Sequence, residues 1–224
     1  MTVQVIINTA QSIEFDRRRV VGQSISRSQR IKTAERLTAQ PFVITVTPLA
    51  RFRYEAYRPV LEGIMSLDRT EEQAVNIANK TSMNYLTSYL GDLTDAQLSG
   101  LTITNFTATT VTIGQLPTIG ASDRTGNTIS STSTIFEAGD WIQPTNSRYP
   151  YIVSEAVLRT SGSTTTATVH RPLISSENIV VTGPILVGTA TTIRVLVSEL
   201  PNYRLIQKDW CEFTGDFVLV EKVI

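Results

Sequence analysis

Thr192-Ile-Arg-Val-Leu-Val197 and Phe217-Val-Leu-Val-Glu-Lys-Val-Ile224 close a C-terminal stretch, residues 136–224, that reads almost wholly as strand. Before them come Trp141-Ile-Gln143, Tyr151-Ile-Val-Ser154, Ala156-Val-Leu-Arg159, Thr164-Thr-Thr-Ala-Thr-Val-His170, Ile179-Val-Val181 and Ile185-Leu-Val187, with Gly, Pro and Asn between them. β-Branched and aromatic residues suit a pleated, half-buried surface. Short strands at regular intervals, separated by turn residues, predict a β-sandwich or small barrel.

Working back along the chain, residues 81–135 are poor in charge and rich in threonine. Leu101-Thr-Ile-Thr-Asn-Phe-Thr107 and Thr110-Val-Thr-Ile-Gly114 alternate apolar and polar positions, the pattern of half-buried strands. Gly120 to Thr134 holds little apolar material and reads as a loop or loose hairpin. Its one carboxylate, Asp123 beside Arg124, makes no site alone. In residues 1–80, Pro41 and Pro48 bracket a strand, Phe42-Val-Ile-Thr-Val-Thr47. Tyr54, Tyr57, Val60, Leu61, Ile64 and Met65 then recur at helical spacing and predict one amphipathic helix packed on a sheet. Pro59 fits if that helix begins shortly before it, because proline is tolerated in the first turn. Thr70 and Gln73 stand at capping-box spacing and predict a short helix over 71–80.

The expected architecture is therefore mainly β: a β-sandwich or split β-barrel with one packed amphipathic helix and a polar inserted region. Residues 1–80 supply an arm, a strand and the helix; 81–135 form a Thr-rich insert; 136–224 complete the core. The first stretch offers too few strands to close a sheet alone, so one core with an inserted middle is expected.

Composition narrows function more by exclusion than by assertion. The 224 residues carry 20 Lys plus Arg and 20 Asp plus Glu, so net charge is zero, which argues against a generally basic nucleic-acid binder. Charged residues are only 18 %, while 32 Thr and 19 Ser push the composition toward strands. One His and one Cys exclude a His/Cys metal site, a disulfide framework and a CxxC redox centre. Met1 to Asn8 has no basic run before a sustained apolar stretch, so no signal peptide is expected, and the apolar runs are too short to span a bilayer. Cys211 without secretion signals fits a reducing cytosol, or a particle assembled there.

Side chains with chemistry are scattered. His170 is the only imidazole, and a histidine base needs a nucleophile and an orienting carboxylate; it reads as structural. Cys211, between Trp210 and Glu212 in a strand-like run, reads as buried. Glu71-Glu72 reads as favourable charge in a helix first turn, and Asp209 with Glu212 is the other carboxylate pair. GxGxxG, Walker, GxSxG and HExxH patterns are all absent, so no enzyme, metal or cofactor is expected. The strongest feature is basic: Arg17, Arg18, Arg19, Arg27, Arg30, Lys32 and Arg36 could contact phosphates, but few aromatics lie among them to stack bases. In a neutral chain they read better as an extended arm that docks on an acidic neighbouring subunit.

The order of segments resembles bacteriophage tail and baseplate proteins of the tube-like and distal-tail-like kind. The residues that carry this are Phe136-Glu-Ala-Gly-Asp-Trp-Ile-Gln143, a Tyr-x-Val strand soon after, His170-Arg-Pro-Leu173, Leu200-Pro-Asn-Tyr-Arg-Leu205 and Phe213-Thr-Gly-Asp-Phe-Val-Leu-Val-Glu221. The resemblance covers about 12–69 and 136–224 and leaves 81–135 unmatched. It implies a structural virion protein in a tail or baseplate, assembled in the host cytoplasm. Its partners would be copies of itself and neighbouring tail proteins, with no membrane and no nucleic acid beyond DNA passing through a channel. In that picture Arg17 to Arg36 reach a neighbour and 120–134 meets another tail component. The competing expectation is a carbohydrate-binding β-sandwich for host recognition, with Trp141, Tyr149 and Tyr151 as its aromatic platform. A third is an enzyme with dispersed residues.

Overall fold

Alternation in Val43-Ile-Thr-Val-Thr47 organises the first sheet: Ile44 and Val46 are fully buried while Val43, Thr45 and Thr47 are half-buried. A computed structural model describes residues 2–16, 21–25, 31–35, 41–66, 71–79, 84–174 and 179–223 of the chain. Its first six strands are β1 (Ser12–Asp16), β2 (Val21–Ile25), β3 (Ile31–Glu35), β4 (Val43–Thr47), β5 (Phe52–Arg53) and β6 (Gln73–Val75). The middle of the chain adds β7 (Thr102–Phe106), β8 (Thr110–Gly114), β9 (Thr134–Phe136), β10 (Trp141–Pro144), β11 (Tyr151–Ile152), β12 (Val157–Leu158) and β13 (Thr165–Thr168). The C-terminal part adds β14 (Ile185–Val187), β15 (Ile193–Glu199), β16 (Tyr203–Gln207), β17 (Trp210–Phe213) and β18 (Phe217–Glu221). The α-helices are α1 (Thr2–Thr9), α2 (Tyr54–Met65) and α3 (Asp95–Gly100). The fold is mainly β, built of several antiparallel sheets with no closed barrel.

The largest sheet runs β1-β4-β18-β15-β6 and pairs Ile44 with Leu219 and Val46 with Phe217, so like faces align. Val3, Ile6, Ile7 and Ala10 recur at helical spacing along α1 and bury against this sheet with Ile64 of α2. A second core collects residues on both sides of position 135: Leu101, Ile103, Val111 and Ile113 pack with Phe136, Ile142, Tyr149 and Tyr151. A third, smaller cluster holds Phe52, Leu61 and Cys211 beneath the β16-β17-β5 sheet. Here β17 pairs with β5, and the Tyr54 N–H that opens α2 donates to the Asp209 carbonyl at 2.7 Å.

One buried ion pair joins the two main cores. Arg171 donates from Nη1 and Nη2 to the two Glu221 oxygens at 2.5 and 2.7 Å, and from Nη2 to the Pro150 carbonyl at 3.0 Å. Its guanidinium lies 4.5 Å from the ring centre of Phe42 in the first core and 5.4 Å from that of Tyr151 in the second. Glu221 also accepts the Phe42 N–H at 3.0 Å, while the Glu221 N–H donates to the Phe42 carbonyl.

Three local expectations change. Residues 71–80 hold no α-helix among those described; β6 and a 3-10 turn at Ile77–Asn79 stand there instead. Val75 pairs with Ile193, and Val75 and Ile77 both bury, so tertiary pairing overrides the local capping signal. Ile179-Val-Val181 is not a strand: Ile179 buries, Val180 and Val181 are exposed, and the chain turns with Thr182 at φ 73°. Pro59 is the sixth residue of α2, beyond the first turn. It is tolerated because its side is exposed, so the carbonyl one turn earlier, on Glu55, faces solvent. The helices α1 and α3 add to the one that was expected; α3 carries a complete capping box between Thr94 and Gln97.

Truncating one partner of the central pair strands the other charge. Arg171→Leu or Glu221→Leu alone is expected to cost about 3–5 kcal/mol. The double Leu variant is expected to be less destabilised than either single one, losing mainly the acceptor for the Phe42 N–H, about 1–3 kcal/mol. Urea unfolding midpoints at constant slope would check the order.

Candidate assembly surface

The basic segment sits inside a built hairpin. β1 and β4 pair from Ser12↔Thr47 to Asp16↔Val43, and the chain between them pairs with itself as β2–β3, from Val21↔Glu35 to Ile25↔Ile31. Arg17, Arg18, Arg19, Arg27, Arg30 and Arg36 lie outside the described residues; Lys32 falls on β3, opposite Ser24. The root of this arm is firm: Phe42 is buried and its backbone is held in both directions by Glu221.

The sheet's two edges differ. β6 is three residues long, and just beyond it the Gln4 side chain accepts the Asn76 N–H at 2.7 Å and donates to the Asn76 carbonyl at 2.8 Å. A side-chain amide thus occupies the position a further strand would take. On the other edge, no described strand pairs with the outer side of β1, whose chain leads into the arm.

A second surface lies where the β16–β17 hairpin meets α2. Leu61, Ile64, Met65, Leu200, Tyr203 and Phe213 line a groove of about 110 Å³. That holds a side chain or two, well short of the several hundred Å³ of a small-molecule site. Beside it, Leu205 is 68 % and Met65 64 % exposed, and Ile206 and Trp210 are exposed as well. β16 is an edge strand, and an apolar exposed edge is a surface made for pairing. Nothing in Arg204-Leu-Ile-Gln207 marks these apolar residues as exposed, so the sequence carried no usable signal for this patch.

The residues with chemistry are spent on structure. His170 accepts the Ile152 N–H on Nδ1 at 3.0 Å and its ring stacks on Phe42 at 5.3 Å. Cys211 is fully buried, and burial pushes its thiol up. Glu72 faces Arg148 at 3.3 Å and Lys222 at 3.8 Å, and Glu212 pairs with Arg204. Asp140 is buried; its oxygens accept the Leu90 and Glu137 N–H groups, and desolvation still raises its carboxyl above the usual range. Among the described residues no three His, Cys, Asp or Glu side chains gather to hold a metal, and no helix is long and apolar enough to cross a membrane.

Trp141, Tyr149 and Tyr151 form no platform. All three are buried, at most 3 % exposed, and Trp141 packs against the rings of Phe15 and Phe42. The segments behind the resemblance are partly interior: Gly139 takes φ 103° in the turn between β9 and β10, Asp140 closes that turn, and Arg171 with Glu221 forms the central pair, whereas much of Leu200–Leu205 and Thr214–Asp216 is exposed. No family model matches the chain, and no curated protein matches it significantly.

The loop at 120–133 is pinned rather than open. Arg124 donates to the Tyr89 and Leu90 carbonyls at 2.9 and 3.0 Å. Asp123 Oδ1 accepts the Thr125 hydroxyl, the Thr125 N–H and the Asn127 N–H, which holds its carboxyl below the usual range. A depressed carboxyl contributes stability above its unfolded value and loses it as pH falls through the folded one. Amide exchange at Thr125 and Asn127, measured by NMR, is therefore expected to lose protection only as pH falls below the ordinary aspartate range, and Asp123→Ala to remove that pH dependence. Trp141→Ala is expected to cost about 3–5 kcal/mol, seen as a lowered thermal midpoint rather than as a loss of glycan binding on an intact fold.

Proposed function

We propose that this protein is a structural, non-enzymatic component of a bacteriophage tail or baseplate, assembled in the host cytoplasm and resident in the virion. It works by contacts between subunits, to copies of itself and to neighbouring tail proteins. The observation that carries this reading is the nested hairpin. A self-paired ribbon is inserted between β1 and β4, its root is clamped in the core, and residues 17–40 around it hold seven Lys or Arg and one acid. Positive charge concentrated on such a ribbon favours an acidic partner surface. The open β1 edge and the apolar β16 strand supply further contact of the kind that neighbouring strands complete. The resemblance to tail proteins supplies the setting.

The test separates arm from core. Because α1 buries Val3, Ile6 and Ile7 and β1 pairs with β4, the arm is removed by replacing residues 17–40 with Gly-Gly and keeping everything before Arg17. Light scattering and negative-stain imaging are expected to show rings or short tubes for the full chain and monomers for the excised one, with equal far-UV circular dichroism. An excised chain that assembled like the full one would sink the arm's role.

A further inference from the structure

We propose that the groove between α2 and the β16–β17 hairpin receives segment 17–40 of a second copy of this chain, giving a head-to-tail contact. This rests on the assembly reading above and names the partner of that arm.

Charge points to a second copy. Residues 17–40 carry seven basic side chains and one acid, a net of +6; the chain is neutral, so the rest holds 13 basic against 19 acidic residues, a net of −6. The groove is lined mainly by apolar side chains, with Asn202 and Tyr203 among them, and acids neighbour its lining residues along the chain. Exposed Glu62 follows the lining residue Leu61, and its carboxylate acts on Tyr203 across the groove. Exposed Glu199 precedes the lining residue Leu200, and exposed Asp216 belongs to the turn whose Thr214 donates to the Asn202 carbonyl. The nearby cations along the chain are Arg58 and Arg204, and Arg204 is paired with Glu212. On the arm, the ribbon's last pair is Ile25↔Ile31, with Arg27 and Arg30 between them in sequence. Two isoleucines match a groove sized for a side chain or two, and two arginines match its rim.

Topology points to head-to-tail geometry. The arm leaves the five-stranded sheet at Asp16↔Val43, the end where Val43 meets Val220. The groove adjoins the opposite end, where Phe217 meets Val46 and Glu199 meets Val218. Donor and receptor are thus separated by the length of β4, about 13 Å at 3.3 Å per residue. The ten residues from Asp16 to Ser26 reach at most about 33 Å when extended, enough to cross to a neighbour. A donor at one end and a receptor at the other form a heterologous contact, which closes into a ring or propagates as a filament.

The experiment mixes two full-length variants with the wild type as reference. One lacks residues 17–40 (Gly-Gly in their place) and keeps the groove; the other keeps the arm and carries Glu62→Lys with Asp216→Lys. Each alone is expected to be monomeric by light scattering. Their mixture is expected to give a complex of two chains and no more, weakening at least tenfold from low to high salt. In the full-length groove variant, adding Arg27→Glu with Arg30→Glu is expected to restore self-association, which a merely structural role for Glu62 or Asp216 would not do. A mixture that stays monomeric although the wild type assembles would overturn the docking. So would a groove variant that assembles like the wild type, and both results leave the assembly reading standing. A wild-type chain monomeric at several hundred micromolar would overturn docking and self-assembly together.

Discussion

The Arg171–Glu221 pair is the constraint on which the rest of the chain depends. Two charges removed from water are favourable only with good geometry and further partners. Here the guanidinium is gripped by both carboxylate oxygens and the Pro150 carbonyl, with the Phe42 and Tyr151 rings beside it. Those rings belong to different cores, so the pair fixes how the β1–β18 sheet sits against the β10–β11 layer. It also fixes register. Glu221 exchanges hydrogen bonds with Phe42 at the point where β4 emerges from the arm. A slip of one residue along β18 would turn Ile44 and Val46 outward.

With the interior settled this firmly, the chain's freedom lies at its edges. One edge of the main sheet is closed by the Gln4 amide; the other leads into the basic arm. Natural sheets blunt an open edge or use it. The β16 strand is blunted only in part, by exposed Arg204 and a bulge in its pairing with β17, and keeps Leu205 and Ile206 in solvent. A neutral chain with a net +6 in residues 17–40 and a net −6 in the rest has a segment that repels its own kind and a body that attracts it. That separation favours a directional contact over non-specific aggregation.

Legibility in the sequence followed the range of the forces involved. The strands at 43–47, 102–106, 110–114, 193–199 and 217–221 were readable because alternation reflects one buried face. Tyr54–Met65 was readable because the apolar spacing was helical. Residues 71–80 misled because a capping-box spacing is a local signal and Val75↔Ile193 is a pairing over more than a hundred residues. The periodic Val3, Ile6, Ile7 and Ala10 and the Thr94–Gln97 box are the local signals that α1 and α3 carry. Arg171 could not be assigned: an arginine beside a histidine and a proline looks like a turn until Glu221, fifty residues on, is seen to meet it. The exposed β16 patch had no local signature at all.

Some of the positions in the segments that resemble tail proteins end up in this interior, at Asp140, Arg171 and Glu221, while Leu200–Leu205 lies largely at the surface. A likeness carried by core-forming residues speaks to architecture, because those residues are selected by packing and by buried polar satisfaction. One architecture hosts many functions, so such a likeness does not by itself fix the partner. The surfaces proposed for assembly are the basic ribbon and the groove beside α2, the latter lined in part by Leu200, Tyr203 and Phe213 of the resembling segments. On that proposal, proteins sharing the same Arg–Glu centre but differing at Arg27, Arg30, Glu62 and Asp216 would keep the fold and lose the contact, because the core and the charge pattern are set by different residues.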